Sequence, residues 1–174
     1  DAVSQKAFEV MKEVVTGKKE PVLGLIYDPY RDEMFTALKG KGAYLNGTQI
    51  HASDMPFERA MVSVGTSPYY AELADRTMAI ALDFLKQGGD LRRTGSAALD
   101  LCDIACGRLD VFYELRLSPW DFCAGALIIL EAGGRFELPV NGKAGVRNYG
   151  VPGFMLAANQ KCFDKALEII NAHK

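Results

Sequence analysis

The sequence lacks the features that mark membrane, secreted and nucleic-acid-binding proteins. No apolar run approaches the roughly 20 residues of a membrane-spanning helix, and the run Ala124–Leu130 stops at Glu131. Residues 1–6 contain no apolar signal core. The 20 basic and 22 acidic side chains leave a net charge of −2, which disfavours a protein held to nucleic acid mainly through phosphate contacts. We therefore expect neither a membrane nor a nucleic-acid partner.

Cysteine and histidine are also scarce, with four and two residues respectively. Cys102 and Cys106 are separated by three residues, no Cys-x-x-Cys occurs, and neither histidine lies near a cysteine in sequence. This pattern disfavours a zinc site and favours reduced cysteines that pack as small apolar side chains. Together with the missing signal core, it predicts a cytoplasmic protein.

The residues that are present are typical of a soluble globular protein: 49% are hydrophobic and 24% charged. A chain of 174 residues can bury roughly 70% of its unfolded surface, so folding needs neither a disulfide nor a structural metal.

The first third of the chain favours antiparallel sheet. Apolar runs separated by turn residues predict strands over 22–27, 34–38, 43–45 and 48–51. Asn46-Gly47 predicts a tight turn because both residues tolerate positive φ. Gly40-Lys41-Gly42 is interpreted as part of a hairpin, since a dinucleotide fingerprint would need glycine where Leu45 stands. Residues 3–14 favour a helix, although Phe8, Val10 and Val14 also fit one face of a strand.

From residue 59 onward, predicted strands alternate with helices, which indicates a mixed sheet with helices packed on it. We therefore expect an α/β fold, a layered α+β sandwich. Residues 1–58 would form an antiparallel part, and residues 59–174 an α/β part. The predicted strands are 60–65, 90–93, 111–114, 135–138 and 154–158, and the predicted helices are 71–86, 96–106, 119–132 and 160–172.

Asp121 falls in the first turn of a predicted helix. Ser118 can cap that helix, Pro119 suits its first position, and Asp121 stands where a capping-box acid is found. A carboxylate held rigidly beside a loop can also bind a hard cation such as Mg²⁺. The local sequence leaves a purely structural cap and a metal ligand both open.

Glu114 ends the predicted strand over 111–114, and strand ends beside a loop are common ligand positions in α/β sheets. An ordinary solvated acid, or an ion-pair partner of Arg116, is the alternative. Between the strand over 90–93 and the next helix, Gly95 permits a close backbone approach, and Thr94 or Ser96 can cap the helix.

These motifs, in this order, closely resemble the inositol monophosphatase family. The block from Trp-Asp to Glu-Ala-Gly-Gly corresponds to the family's C-terminal signature, and the resemblance extends from about Val22 onward. The residues that carry it are Gly24–Pro29, Lys39–Gly47, Gly95–Ala98, Gly107–Asp110, Glu114, Trp120-Asp121, Ala124-Gly125, Glu131–Gly134 and Phe154–Asn159.

The resemblance implies a sugar-phosphatase-like fold, of which residues 1–58 would be the remnant of the N-terminal antiparallel part. It also implies a homodimeric, Mg²⁺-dependent phosphomonoesterase acting on inositol monophosphate or a related sugar phosphate. Asp121 would be a metal ligand, and Glu114 would hydrogen-bond a substrate hydroxyl. Gly95, Ser96 and Ala97 would line the substrate pocket, with Thr66 near it. In the family, a metal-activated water attacks the phosphate without a covalent enzyme intermediate.

Family members also carry an upstream acidic site and an Asp-Pro-x-Asp-Gly-Thr motif, which supply most of the metal ligands. Neither pattern occurs here, and Asp28-Pro29, followed by Tyr-Arg-Asp-Glu, is interpreted as a turn. We therefore expect the N-terminal metal-binding portion to be missing and this chain alone to be inactive or nearly so.

Three functional hypotheses follow. The first is a phosphatase of which this sequence is a part. The second is a truncated, catalytically defective member that retains a sugar-phosphate-binding or dimerisation role. The third is a regulatory interaction module without a small-molecule ligand.

Overall fold

The computed structural model describes residues 20–138, 149 and 152–173. The helix predicted over residues 3–14 lies outside them. Within this part of the chain, the structure is a mixed α/β fold with one antiparallel and one mixed sheet, which confirms the predicted fold class. No helix of the described part is both long and apolar enough to cross a membrane.

The first sheet is antiparallel, and its four strands follow chain order. The predicted turn at Asn46-Gly47 is confirmed, with φ of +48° and +81°. Gly40 and Gly42 also have positive φ and lie in the connection between the second and third strands, as the hairpin interpretation predicted. The strands are β1 (Leu23–Asp28), β2 (Glu33–Leu38), β3 (Ala43–Leu45) and β4 (Thr48–Ile50).

The second sheet holds five strands: β5 (Met61–Val64), β6 (Asp90–Arg92), β7 (Val111–Leu117), β8 (Arg135–Glu137) and β9 (Gly153–Ala158). Their order is β6-β5-β7-β9-β8. β5 is parallel to both β6 and β7, whereas β9 is antiparallel to β7 and β8. The carboxyl ends of β5, β6 and β7 therefore meet at one edge of the sheet.

The helices of the described part are α1 (Ala74–Lys86), α2 (Ala97–Ala105), α3 (Pro119–Glu131) and α4 (Phe163–Asn171), with 3₁₀ turns at Phe57–Arg59 and Ala71–Leu73. Helices α2 and α3 lie between the two sheets, where Leu101 and Ile128 share a core with Phe35 and Phe112. Helices α1 and α4 cover the other face of the second sheet. The result is a β/α/β/α layering.

Helix α3 is closely packed at its middle and at its C-terminal end. A Cβ on Gly125 would lie 2.6 Å from Leu101 Cδ1, so the contact between α2 and α3 depends on this glycine. At the C-terminal end, the Glu131 carboxylate accepts the N–H groups of Gly40 at 2.8 Å and Gly42 at 2.9 Å. These bonds fix the β2–β3 turn to the helix.

Three predicted boundaries were wrong by three residues. Helix α1 begins at Ala74 rather than Ala71, because a 3₁₀ turn covers Ala71–Leu73. Strand β7 runs to Leu117 rather than Glu114, with a register shift between these residues, so Glu114 lies inside the strand. Helix α4 begins at Phe163 rather than Gln160, because Asn159 Oδ1 accepts the Cys162 N–H at 2.8 Å and stabilises a separate turn before the helix. The division of the chain near residue 58 stays a prediction.

Candidate functional site

A cavity of about 440 Å³ lies at the edge where the carboxyl ends of β5, β6 and β7 meet. The N-termini of α2 and α3 open onto the same edge, which is the usual ligand position in sheets with parallel strands. All six residues predicted as site residues line this cavity: Thr66, Gly95, Ser96, Ala97, Glu114 and Asp121. Their roles in binding stay predictions.

Asp121 occupies the third position of α3. Its Oδ2 accepts the N–H of Ser118 at 3.1 Å, so the predicted role as a capping acid is confirmed. Among the described residues, none donates a hydrogen bond to Oδ1. The carboxylate is therefore held in place through one oxygen, while its other oxygen is free to bind a ligand.

Glu114 is buried, with 8% of its surface exposed. Its Oε1 accepts the Ser67 N–H at 2.9 Å and the Ser67 hydroxyl at 3.1 Å. The other oxygen, Oε2, lies so close to Gly65 that a Cβ there would overlap it. Burial raises the pKa of Glu114, the Ser67 donors oppose that shift, and the nearby Asp121 carboxylate adds to it.

The structure excludes both structural alternatives for Glu114. The side chain is not solvated, and Arg116 instead stacks on the ring of Tyr70, with its guanidinium carbon 4.4 Å from the ring centre. A buried acid without a cationic partner is typical of a functional site.

The loop between β6 and α2 forms one wall of the cavity. Gly95 has φ of +95°, a conformation that favours glycine, and Ser96 caps α2 by accepting the Leu99 N–H at 3.5 Å. Arg93 reaches across the cavity wall and donates from Nε to Thr66 Oγ1 at 3.2 Å. The predicted cap at Ser96 is therefore confirmed.

Sequence reasoning missed Asp100, which also lines the cavity and is only 2% exposed. Its Oδ1 accepts the Ser63 hydroxyl at 2.9 Å and the Thr94 hydroxyl at 2.7 Å, and burial raises its pKa to about 6. One signal was available: Asp100 is an acid in an otherwise apolar stretch of helix, one turn after the cap residue Ser96.

The described residues do not form a complete magnesium site. They contain no group of three or more His, Cys, Asp or Glu side chains that could hold a metal ion. Mg²⁺ prefers an octahedral shell of oxygen atoms, and Asp121 offers one free carboxylate oxygen. The described residues therefore provide part of a ligand shell for the ion rather than a whole cage.

Sequence comparison gives the family. The profile of the inositol monophosphatase family matches residues 14–173. A putative Nus factor SuhB of Neisseria meningitidis is 40% identical over 150 residues, which are 86% of this chain and 56% of that protein. Inositol monophosphatase 2 of Solanum lycopersicum is 46% identical over 124 residues, which are 69% of this chain and 46% of that protein.

A solved structure gives the same result for the fold. The inositol monophosphatase of Anabaena (Nostoc) superposes with a TM-score of 0.78 and 31% identity, over 89% of this chain and 60% of that one. The chain thus spans about half the length of the curated relatives it matches. The sequence match and the superposition agree, and the chain belongs to the inositol monophosphatase family.

Proposed function

We propose that this chain carries the substrate-binding part of a Mg²⁺-dependent phosphomonoesterase that hydrolyses inositol monophosphate or a related sugar phosphate. The observation that carries the proposal is the convergence of Thr66, the Gly95–Ala97 loop, Glu114 and Asp121 on one cavity in a member of the inositol monophosphatase family. These residues come from the loops after β5 and β6, the interior of β7 and two helix N-termini, and only the fold brings them together.

Glu114 is suited to bind a hydroxyl of the sugar or inositol ring. Its Oε1 is held by Ser67, whereas no described residue donates a hydrogen bond to Oε2. A substrate hydroxyl that donates to Oε2 would add a hydrogen bond to a carboxylate in a desolvated position. The orientation is fixed in advance, so little conformational entropy is lost on binding.

The N-terminus of α2 is suited to an anionic or hydroxylated ligand. Gly95 brings the backbone close to the cavity, and the first N–H groups of the helix have no acceptor within the helix. The helix dipole adds a partial positive charge at this point. A phosphate ester bound at this terminus would lie in the same cavity as Asp121.

Asp121 would supply one ligand to Mg²⁺, which, when bound, activates a water and stabilises the leaving alkoxide. Among the described residues, no group of three or more His, Cys, Asp or Glu side chains could hold the ion. One carboxylate oxygen can anchor the ion but cannot complete its shell, so turnover requires ligands from outside the described residues.

A second candidate is a catalytically defective family member with a sugar-phosphate-binding or dimerisation role, and the single free carboxylate oxygen at Asp121 favours it. A homodimer and a cytoplasmic location stay predictions. The relatives of Neisseria and Escherichia coli are named Nus factors. The expectation that this chain has no nucleic-acid partner likewise stays a prediction.

The two candidates differ in turnover and share ligand binding. We would measure phosphate release from inositol 1-phosphate and fructose 1,6-bisphosphate with Mg²⁺, and binding of inositol 1-phosphate by calorimetry. Asp121→Asn and Glu114→Gln are the test variants, and Asp54→Asn is the matched control, because the Asp54 side chain is 96% exposed and lies outside the cavity.

Turnover that is lost in Asp121→Asn would establish the phosphatase. Binding without turnover, weakened in Glu114→Gln and unchanged in Asp54→Asn, would establish the binding role. Absence of both turnover and binding would refute the phosphatase and the sugar-phosphate-binding role, and would favour an interaction module.

A further inference from the structure

Asp100 is a buried carboxylate in the cavity wall to which neither the proposed chemistry nor the family resemblance gives a role. Its Oδ1 accepts two hydroxyl groups from different parts of the fold: Ser63 lies on β5, and Thr94 lies in the loop before α2. No described residue donates a hydrogen bond to Oδ2. A single oxygen therefore connects the central strand of the parallel part of the sheet to the substrate loop.

The connection continues into the loop itself. Thr94 Oγ1 donates to Asp100 and accepts the backbone N–H of Ser96 at 3.4 Å. Ser96 in turn caps α2. A series of hydrogen bonds thus runs from Ser63 on β5 through Asp100 and Thr94 to Ser96, the N-cap residue of α2.

The charged groups around Asp100 do not neutralise it. Asp103 on the same helix and Glu114 on β7 carry the same sign, and Arg93 in the loop carries the opposite sign but forms no ion pair with it. β5 contributes only the Ser63 hydroxyl. A carboxylate in this position is costly compared with an amide of the same shape. A buried, unpaired acid in a cavity wall is more typical of a functional residue than of a stabilising one.

We propose that Asp100 is a positioning residue that holds the Arg93–Ser96 loop against β5 and thereby sets the position of Gly95, Ser96 and Ala97 in the cavity. The identity of the ligand rests on the proposed function, but the hold on the loop does not. Hydroxyl donors to an ionised acceptor are roughly twice as strong as donors to a neutral one. The loop is therefore held most tightly while Asp100 is ionised.

The test compares four variants of the full chain. Thr94→Val removes the donor on the loop side, and Ser63→Ala removes the donor on the strand side. Asp100→Leu removes the acceptor, and Asp100→Asn keeps an acceptor of the same shape without the charge. Thr94 is exposed, so Thr94→Val keeps the test decisive if Asp100→Leu does not fold.

The first readout is amide hydrogen exchange of the peptide covering residues 92–99 in the free protein, corrected for intrinsic rates. We expect exchange to rise about tenfold in Thr94→Val and Asp100→Leu, and about threefold to fivefold in Asp100→Asn and in Ser63→Ala, which loses the hydroxyl on the strand side. In the wild type, lowering the pH from 7.5 to 5 should raise exchange to the Asp100→Asn level. Asp100→Asn itself should show no inflection.

The second readout is the affinity for inositol 1-phosphate with Mg²⁺, measured by calorimetry at pH 7.5 only, because the phosphate group itself titrates near pH 6. We expect Thr94→Val to weaken binding at least about fivefold, and Asp100→Asn to restore most of the affinity lost in Asp100→Leu.

Loop exchange within twofold of the wild type in Thr94→Val would overturn the proposal, as would a pH inflection that persists in Asp100→Asn. Faster exchange with unchanged affinity would also overturn it, since Asp100 would then be merely structural. If the wild type binds no ligand while the exchange results hold, the proposed function fails and the hold of Asp100 on the loop stands.

Discussion

Two acids on α2, Asp100 and Asp103, lie one helical turn apart and have opposite surroundings. Asp103 is 8% exposed and faces two arginines, with Arg108 at 3.2 Å and Arg31 at 3.6 Å. Asp100 is 2% exposed and meets only the hydroxyls of Ser63 and Thr94. Asp103, toward the C-terminal end of α2, belongs to an ion-pair network. Asp100, toward the N-terminal end, forms no ion pair with a described residue.

The same contrast extends to the neighbouring acids. Glu33 receives both guanidinium nitrogens of Arg108, at 2.6 and 2.7 Å, and this pairing lowers its pKa. Glu114 in the cavity has only Ser67 as a donor, and burial raises its pKa. The paired acids join β2 to the α2–β7 connection and stabilise the fold, whereas the cavity acids are held ready for a ligand at a cost in stability.

The largest expected effect is on the paired side. Arg108→Ala should lower the free energy of unfolding by about 2 kcal/mol, because it leaves Asp103 and Glu33 without their main partner. The estimate is below the roughly 3–5 kcal/mol of a fully buried pair, since the Arg108 side chain is 40% exposed. Urea unfolding at pH 7 measures it. Arg108→Lys keeps the charge but loses the bidentate geometry, so its free energy of unfolding should lie between those of the wild type and Arg108→Ala. A wild-type stability for Arg108→Ala would show that the paired acids do not stabilise the fold more than the cavity acids do.

On the cavity side, Asp100→Asn should raise the free energy of unfolding by about 1–2 kcal/mol at pH 8. The folded-state pKa of Asp100, about 6, lies above its ordinary 3.8. The folded protein therefore binds this proton more tightly, and wild-type stability falls as the pH rises between these values. The gain in the variant should be complete above pH 7 and vanish near pH 4. Asp103→Asn is the matched control and should lose stability; a loss in both variants would contradict the comparison.

Ser67→Ala should lower the free energy of unfolding by about 1 kcal/mol, because one hydroxyl donates to Glu114 and accepts the backbone N–H of Arg116. It should also raise the pKa of Glu114 further, since the hydroxyl stabilises the ionised form. Carboxyl carbon NMR measures the titration, with Thr66→Ser as the control. An unchanged titration would mean that the Ser67 N–H alone, without the hydroxyl, opposes the rise in the pKa of Glu114.

The smallest expected effect is at Glu33. Glu33→Gln should cost less than about 1 kcal/mol at pH 7, as expected for a partly exposed ion pair. The folded-state pKa of Glu33 lies below its ordinary 4.5, so its contribution is present above that value and lost as the pH falls through the lowered one. The free energies of unfolding of the wild type and Glu33→Gln should converge as the pH falls. Glu72→Gln is the exposed control. A difference that persists at pH 3 would show that packing, rather than charge, explains it.

The elements of the described part were largely predictable from local sequence. Strand and helix periodicity, Asn46-Gly47 and the Ser96 cap depend on neighbouring residues, and the structure confirms them. The order β6-β5-β7-β9-β8 could not be predicted, because it depends on pairing between segments far apart in the chain. The site residues were identified from the order of the motifs and the family resemblance that it carries. That they meet in one cavity is a property of the tertiary fold.

Two of the misjudged positions, Glu114 and Asp100, have the same physical reason. A charged residue suggests an exposed strand end, which places the predicted end of β7 at Glu114, yet Ser67, 47 positions away, supplies the donors that allow its burial. Asp100 was missed because its partner Ser63 comes from a strand that local reasoning does not connect to α2. Burial of a charge is decided by distant donors, which periodicity does not reveal.

The clamping of the β2–β3 turn by Glu131 has a mechanical consequence for Asp121, because both acids belong to α3. At about 1.5 Å per residue, this 13-residue helix is a rod about 20 Å long between close-packed layers. The rod cannot shift along its axis without breaking the bonds from Gly40 and Gly42 to Glu131. The first sheet therefore helps to fix the position of the free carboxylate oxygen of Asp121, although none of its strands lines the cavity.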